Sequence, residues 1–121
     1  MEINKEALLE LSKFDKESPV FMLNYLNYKS EVSSTGKSGK EMYNEYMKVA
    51  LPFFQQINAE IIFKGKPMTT IIGPSEEKLW DEILIVKYAN KTDFFTLVNF
   101  KEYPAELRSS ALSDSRLIFC K

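Results

Sequence analysis

Asn24, Tyr46, Arg108, Trp80 and Asp81 stand out as side chains able to do chemistry where they fall in the chain. Asn24 is the polar member of the alternating set Val20, Met22, Asn24, Leu26 and Tyr28, one face of a predicted strand. Burying an unpaired amide there costs on the order of 1–3 kcal/mol. Asn24 therefore needs a partner: either a ligand in a cleft between sheet and helices, or an internal hydrogen bond to a loop or neighbouring strand. Arg108 is one of only two arginines. Its planar fork could hold a carboxylate or enolate oxygen of a ligand, or clamp Asp114 or Glu102 within the chain. Tyr46 and Tyr43 lie on the inward stripe of a predicted helix; they either turn hydroxyls into the same cleft or act as core aromatics whose hydroxyls reach the surface.

Trp80 and Asp81 open another predicted strand, where an indole beside a carboxylate can line a pocket mouth. Alternation along the strand sends the two side chains to opposite faces. Asp81 is the one candidate general base, should burial raise its pKa. The competing reading is a solvated edge carboxylate, or one paired with Arg116 or Arg108.

The other residue types narrow the chemistry. The 121 residues contain no histidine, which excludes Ser/His/Asp and Cys/His nucleophile systems, histidine metal sites and an imidazole base. The single cysteine, Cys120, cannot form an internal disulfide and reads as a small buried hydrophobe. Glu41 and Glu45 share a helix face without an Asp or His cluster nearby, so no metal site is expected, and no cofactor either. Seventeen acidic and 16 basic side chains, the latter almost all scattered lysines, give no electrostatic footprint for nucleic acid. The start, Met1 to Glu6, lacks the apolar run of a signal peptide, and no segment has the roughly 20 apolar residues of a membrane helix. The expected location is cytoplasmic.

The elements that must position these residues follow from periodicity and punctuation. Residues 5 to 14 form a short amphipathic helix capped by Asn4, joined by Asp15 to Pro19 to the main domain; the division is 1–18 for helix and connector and 19–121 for the domain. Val20 to Lys29 is a strand. Ser38 and Glu41 make a capping box, and the stripe Tyr43, Tyr46, Met47, Ala50, Phe54 and Ile57 continues a helix through Pro52, where a kink is expected. Strands are expected over Ala59 to Lys64 and Leu79 to Tyr88, with a short one over Thr69 to Ile72. Asn90 caps a helix over residues 91 to 100, Pro104 starts another reaching Ala111, and Arg116 to Cys120 closes as a strand. The order is that of an α+β, ferredoxin-like sandwich (βαββαβ) with both helices on one face of an antiparallel sheet. Both faces of the two long strands are largely apolar, however, and two helices cover only one face. A second copy of the sheet is the simplest cover, so a homodimer is predicted.

Over residues 19 to 120 the chain resembles the domain-of-unknown-function 1330 family of the dimeric α+β barrel superfamily. The resemblance is carried by Phe21 to Leu26, the helix with Tyr46 and Pro52, Leu79 to Tyr88, and the ending from Glu102-Tyr103 through Arg108 to Ile118. It departs at Leu107, where relatives often place histidine, and at Asn58-Ala59, where a glycine pair is frequent. The resemblance implies a dimeric α+β barrel. The superfamily contains cofactor-free oxygenases, isomerases and decarboxylases. Two functions are compatible with this pattern. In one, a small-molecule-binding barrel, with a cofactor-free enzyme as its catalytic form, orients an acidic or enolisable organic ligand through Asn24, Tyr46, Trp80 and Arg108, with Asp81 as base. In the other, the chain is a non-catalytic assembly module whose apolar face only makes the dimer.

Overall fold

A computed structural model describes residues 3–121; Met1 and Glu2, with which the reading of the N-terminus began, lie outside them. Asn4 caps α1 (Lys5–Ser12), its Oδ1 accepting the Ala7 N–H at 3.0 Å. The helix lodges Leu11 in the common core, and Phe14 just beyond it meets Phe119 edge-on with centroids 5.2 Å apart. The main domain follows as β1 (Val20–Tyr28), α2 (Gly39–Gln56), β2 (Glu60–Gly65), β3 (Glu82–Tyr88), α3 (Lys91–Asn99), α4 (Ala105–Ser110) and β4 (Leu112–Cys120). The strands pair antiparallel in the order β2-β3-β1-β4, the ferredoxin-like arrangement expected. Among the described residues no helix is long and apolar enough to cross a membrane.

Alternation assigns the two faces of the sheet. Val20, Met22, Asn24 and Leu26 of β1 and Leu84, Val86 and Tyr88 of β3 are buried beneath the helices. Tyr43, Tyr46, Ala50 and Phe54 of α2, with Ile57 at its C-cap, are buried against them. On the opposite face the register aligns Phe63, Ile85, Leu23 and Ile118 in one row across all four strands. Among the described residues no other element forms a layer over it, and Phe63 and Ile118 are 52% and 41% exposed.

The capping box at Ser38 is present in both directions: Ser38 Oγ accepts from Glu41 N–H at 3.1 Å, and Ser38 N–H donates to Glu41 Oε1 at 3.2 Å. The helix runs through Pro52 to Gln56, with Pro52 on its exposed side. Gly39, the first residue after the cap, has a packing role of its own. Its N–H donates to the Lys29 carbonyl at 2.8 Å, and a Cβ there would fall inside van der Waals contact with the backbone of Lys29 and Ala111. After α2, Asn58 takes φ 54°, the left-handed conformation that asparagine tolerates better than most side chains. A glycine is suited to that position for the same reason.

Three details differ from the sequence reading. Thr69 to Ile72 is not a strand: β2 is already the sheet's edge, and the segment finds no neighbour, leaving Ile71 and Ile72 86% and 94% exposed. The third strand begins at Glu82 instead of Leu79, since side-chain bonds replace the ladder before it. β4 begins at Leu112, four residues ahead of Arg116, because Leu112 to Ser115 still have β1 to pair with.

Gly39→Ala should lower stability by about 1–3 kcal/mol or more in urea unfolding, since the added methyl meets backbone and not a movable side chain. Asn58→Gly should leave the unfolding midpoint unchanged or higher, whereas Asn58→Val should lose about 1–2 kcal/mol.

Candidate functional site

The sheet supplies the floor of the site. Asn24 sits at the middle of β1, 6% exposed, and its Nδ2 donates to the carbonyls of Met22 at 3.2 Å and Leu84 at 3.3 Å. Those two bonds fix the amide orientation, so that Oδ1 faces away from the floor and accepts from Arg108 Nη2 at 3.0 Å. The internal partners that a buried asparagine requires are thus strand carbonyls and the guanidinium of α4. Arg108 reaches the floor because Pro104 and Tyr103 bring the chain back across the sheet before α4 starts, and Arg108 N–H bonds the Pro104 carbonyl at 3.2 Å.

The walls are aromatic. Tyr43 and Tyr46 come from adjacent turns of α2 with ring centroids 5.2 Å apart, and the Tyr46 hydroxyl is hydrogen-bonded to that of Tyr103. Tyr88 closes the β3 side against Phe94, centroids 5.3 Å apart. These groups surround an open cavity of about 420 Å³ between sheet and helices, into which Asn24, Tyr46 and Arg108 all reach. The other carboxylate-bearing or hydroxyl-bearing residues on its wall are Glu106 and Ser109, both exposed.

Burial governs the phenols. It pushes Tyr43 up to about 12, the nearby Arg108 cation pulling the other way. Burial likewise raises Tyr46, Tyr88 and Tyr103, with Tyr46 pushed further by its neighbour Tyr103. At neutral pH these groups are protonated hydroxyls, hydrogen-bond donors and not bases. Arg108 has no carboxylate partner among the described residues: the ion pairs are Lys37 with Glu45 and Arg116 with Asp114. Asp114, one of the clamps considered for Arg108, is thus engaged by the other arginine at 2.6 Å.

Trp80 and Asp81 lie elsewhere. Asp81 is exposed, its Oδ2 accepting the Tyr28 N–H at 2.8 Å while its own N–H donates to the Leu26 carbonyl and to Asn27 Oδ1, both at 2.9 Å. It ties the start of β3 to the end of β1 and does not border the cavity. Strict alternation back from Leu84 would put Trp80 on the face of Leu84 and Val86, yet it packs against Tyr25, centroids 5.8 Å apart, and beneath Arg116 at 5.3 Å, both on the opposite face. Period-two alternation holds only from Glu82 onward, so it does not carry back to residue 80. Tyr88 and Tyr103 are the wall residues that the sequence reading did not select. Tyr88 shares the alternation of Leu84 and Val86 with Asn24's face, and Tyr103 precedes the proline that launches the Arg108 helix, so both signals were present. No group of three or more His, Cys, Asp or Glu side chains gathers among the described residues.

A phenol whose folded pKa exceeds its unfolded value of about 10 contributes stability that is complete below pH 10 and is lost as pH rises through the folded pKa. The cavity tyrosines should therefore resist ionisation until the fold opens. Absorbance at 295 nm and circular dichroism followed from pH 9 to 13 should change together, with the unfolding midpoint falling from pH 10 toward about 12. Smooth ionisation of every tyrosine near pH 10 with the fold intact would contradict the buried cluster.

No family model and no curated protein matches the chain. Among solved structures it is similar to the RPA0582 protein of Rhodopseudomonas palustris, of unknown function: 27% identity over 99% of this chain and 94% of that one, with a TM-score of 0.86. A second structure, of the methylated RPA0582 protein, gives 26% identity, 99% and 92% coverage and a TM-score of 0.85. SnoaB of Streptomyces nogalater, a cofactor-independent oxygenase, matches at a TM-score of 0.55 and 10% identity over 86% of this chain and 92% of that one. A dimeric ferredoxin-like protein of unknown function from Bacteroides fragilis NCTC 9343 matches at 0.54 and 12% over 88% and 99%. The fold is thus the ferredoxin-like α+β sandwich.

Proposed function

We propose that this chain is a homodimeric small-molecule-binding protein that holds an acidic organic ligand in the cavity between sheet and helices. The observation that carries the reading is Arg108: a half-buried guanidinium held by the Asn24 amide oxygen, with no carboxylate to neutralise it among the described residues, facing protonated tyrosine hydroxyls. Such a group is costly to leave without a counter-charge, and an incoming anion relieves that cost. The floor of Leu84 and Val86 and the flanking Phe94 and Leu97 favour an apolar body on the ligand. Asp81 lies away from the cavity and its phenols are protonated, which supports binding of a ligand that arrives already ionised over deprotonation by the protein. Asn24, Tyr46 and Arg108 are the binding residues in this reading. Trp80 belongs to the opposite face of the sheet.

That opposite face supports the dimer. The row Phe63, Ile85, Leu23 and Ile118 spans the sheet, and a twofold axis through it would lay the row of one protomer on that of its partner. The loop between β2 and β3 adds Met68, Ile71 and Ile72, each more than three-quarters exposed.

Calorimetric titration with benzoate and phenylacetate should give heat and a raised melting temperature, whereas benzamide and phenylacetamide should give neither. Arg108→Gln should weaken acid binding about 10- to 100-fold, the equivalent of one charge-assisted contact. A parent protein indifferent to the acids would leave the assembly module as the better reading. Native mass spectrometry should give twice the chain mass, reduced to a single chain by Phe63→Glu with Ile118→Glu; a monomeric parent would refute the dimer.

A further inference from the structure

We infer that the binding region continues beyond Arg108 into a second space beneath α1, and that the ligand carries an extended apolar arm on the side of its acid group away from the tyrosines. The inference rests on the acid-binding reading and adds the shape of the ligand to it. The second cavity, of about 380 Å³, lies between α1 and the helix-facing side of β4. Leu8, Leu11, Met22 and Phe119 give it a largely apolar wall without a tyrosine, and Asn4 and Ser115 also line it. Ile3, Arg108 and Leu117 border both cavities, so Arg108 stands at their junction.

Leu117 marks the passage. It pairs in register with Asn24, which puts its side chain on the helix-facing side of the sheet. A leucine there should be covered, as Leu84 and Leu26 are at 3% and below, yet Leu117 is 50% exposed. Phe14, just beyond α1, covers the end of β4 at Phe119, Arg108 of α4 meets Asn24, and Leu117 between them is left half exposed. An apolar arm laid from Arg108 across Leu117 toward Phe119 would cover it. The acid group has donors to meet at that point, since a guanidinium carries five N–H groups and Asn24 takes only one through its Oδ1. The other arginine bordering the second cavity is already engaged by Asp114 and the Ser115 carbonyl.

The two chambers thus differ in kind. The first offers tyrosine hydroxyls for oxygen-bearing substituents, and the second is lined mainly by hydrocarbon, with Asn4, Ser115 and Arg116 as its other polar residues besides the shared Arg108. A straight-chain or flat aryl-alkyl carboxylic acid satisfies both, with its charge at the shared wall.

Titration of the intact protein with the straight-chain acids from butanoate to octanoate tests this. Affinity should rise roughly fourfold for each added methylene. Ala7→Trp, a change on the exposed side of α1 that projects an indole into the second cavity, should abolish the gain and leave butanoate affinity as it was. Leu117→Ser should reduce the gain from the opposite wall. Equal affinity for butanoate and octanoate, or an octanoate gain that survives Ala7→Trp, would overturn the second chamber while the acid site stands. Failure of butanoate, octanoate and benzoate alike to bind the parent would overturn the acid site itself.

Discussion

The placement of the whole site depends on a backbone junction that tolerates no side chain. Gly39 N–H bonds the Lys29 carbonyl at 2.8 Å, Lys29 N–H bonds the Ala111 carbonyl at 3.0 Å, and Ala111 N–H bonds the Arg108 carbonyl at 3.2 Å. One relay of amides thereby joins the start of α2, the end of β1 and the turn from α4 into β4. Tyr43 lies one turn beyond Gly39, and Arg108 lies one turn before Ala111. Their meeting over Asn24 is set by a contact in which three backbones approach more closely than any Cβ would permit. Side chains furnish the chemistry of the cavity, but its geometry is a main-chain property.

The cavity is held open by the same polar groups that give it character. A gap lined only by leucine and phenylalanine would gain free energy by closing, because lost van der Waals contacts are restored when the walls meet. Here Asn24 is pinned to two strand carbonyls, Arg108 is pinned to Asn24, and Tyr46 and Tyr103 bind each other across the helices. Each hydrogen bond fixes a group that collapse would displace. The polar framework and the apolar lining therefore have separate tasks: the first sets positions, and the second supplies the apolar surface around the charge.

Much of this was legible in the sequence because the signals were periodic or local. The strand alternation around Asn24, the stripe from Tyr43 to Ile57, the caps at Asn4, Ser38 and Asn90, and the order of elements all follow from spacing alone. Arg108 and Tyr46 drew attention by scarcity and by face, and the fold brings both to Asn24's cavity. What sequence spacing misplaced was Trp80, since alternation was extended across residues whose hydrogen bonds are made by the Asp81 and Asn27 side chains and not by a ladder. Thr69 to Ile72 has strand-like composition but stands past an edge with no neighbour, a fact of topology that composition cannot express. The junction at Gly39 was hidden for the opposite reason: the capping box explained the local residues so fully that nothing pointed to a contact 72 residues away at Ala111.

The absence of histidine also bears on how such a cavity would respond to its surroundings. Its wall contains neither imidazole nor thiol, the side chains whose ordinary pKa lies nearest neutrality, and burial moves its phenols further from that range. The phenols inside consequently stay protonated over the pH changes a cell experiences. An acid held there would meet the same hydroxyl donors throughout the range in which an imidazole titrates, so that part of the wall would act as a fixed template.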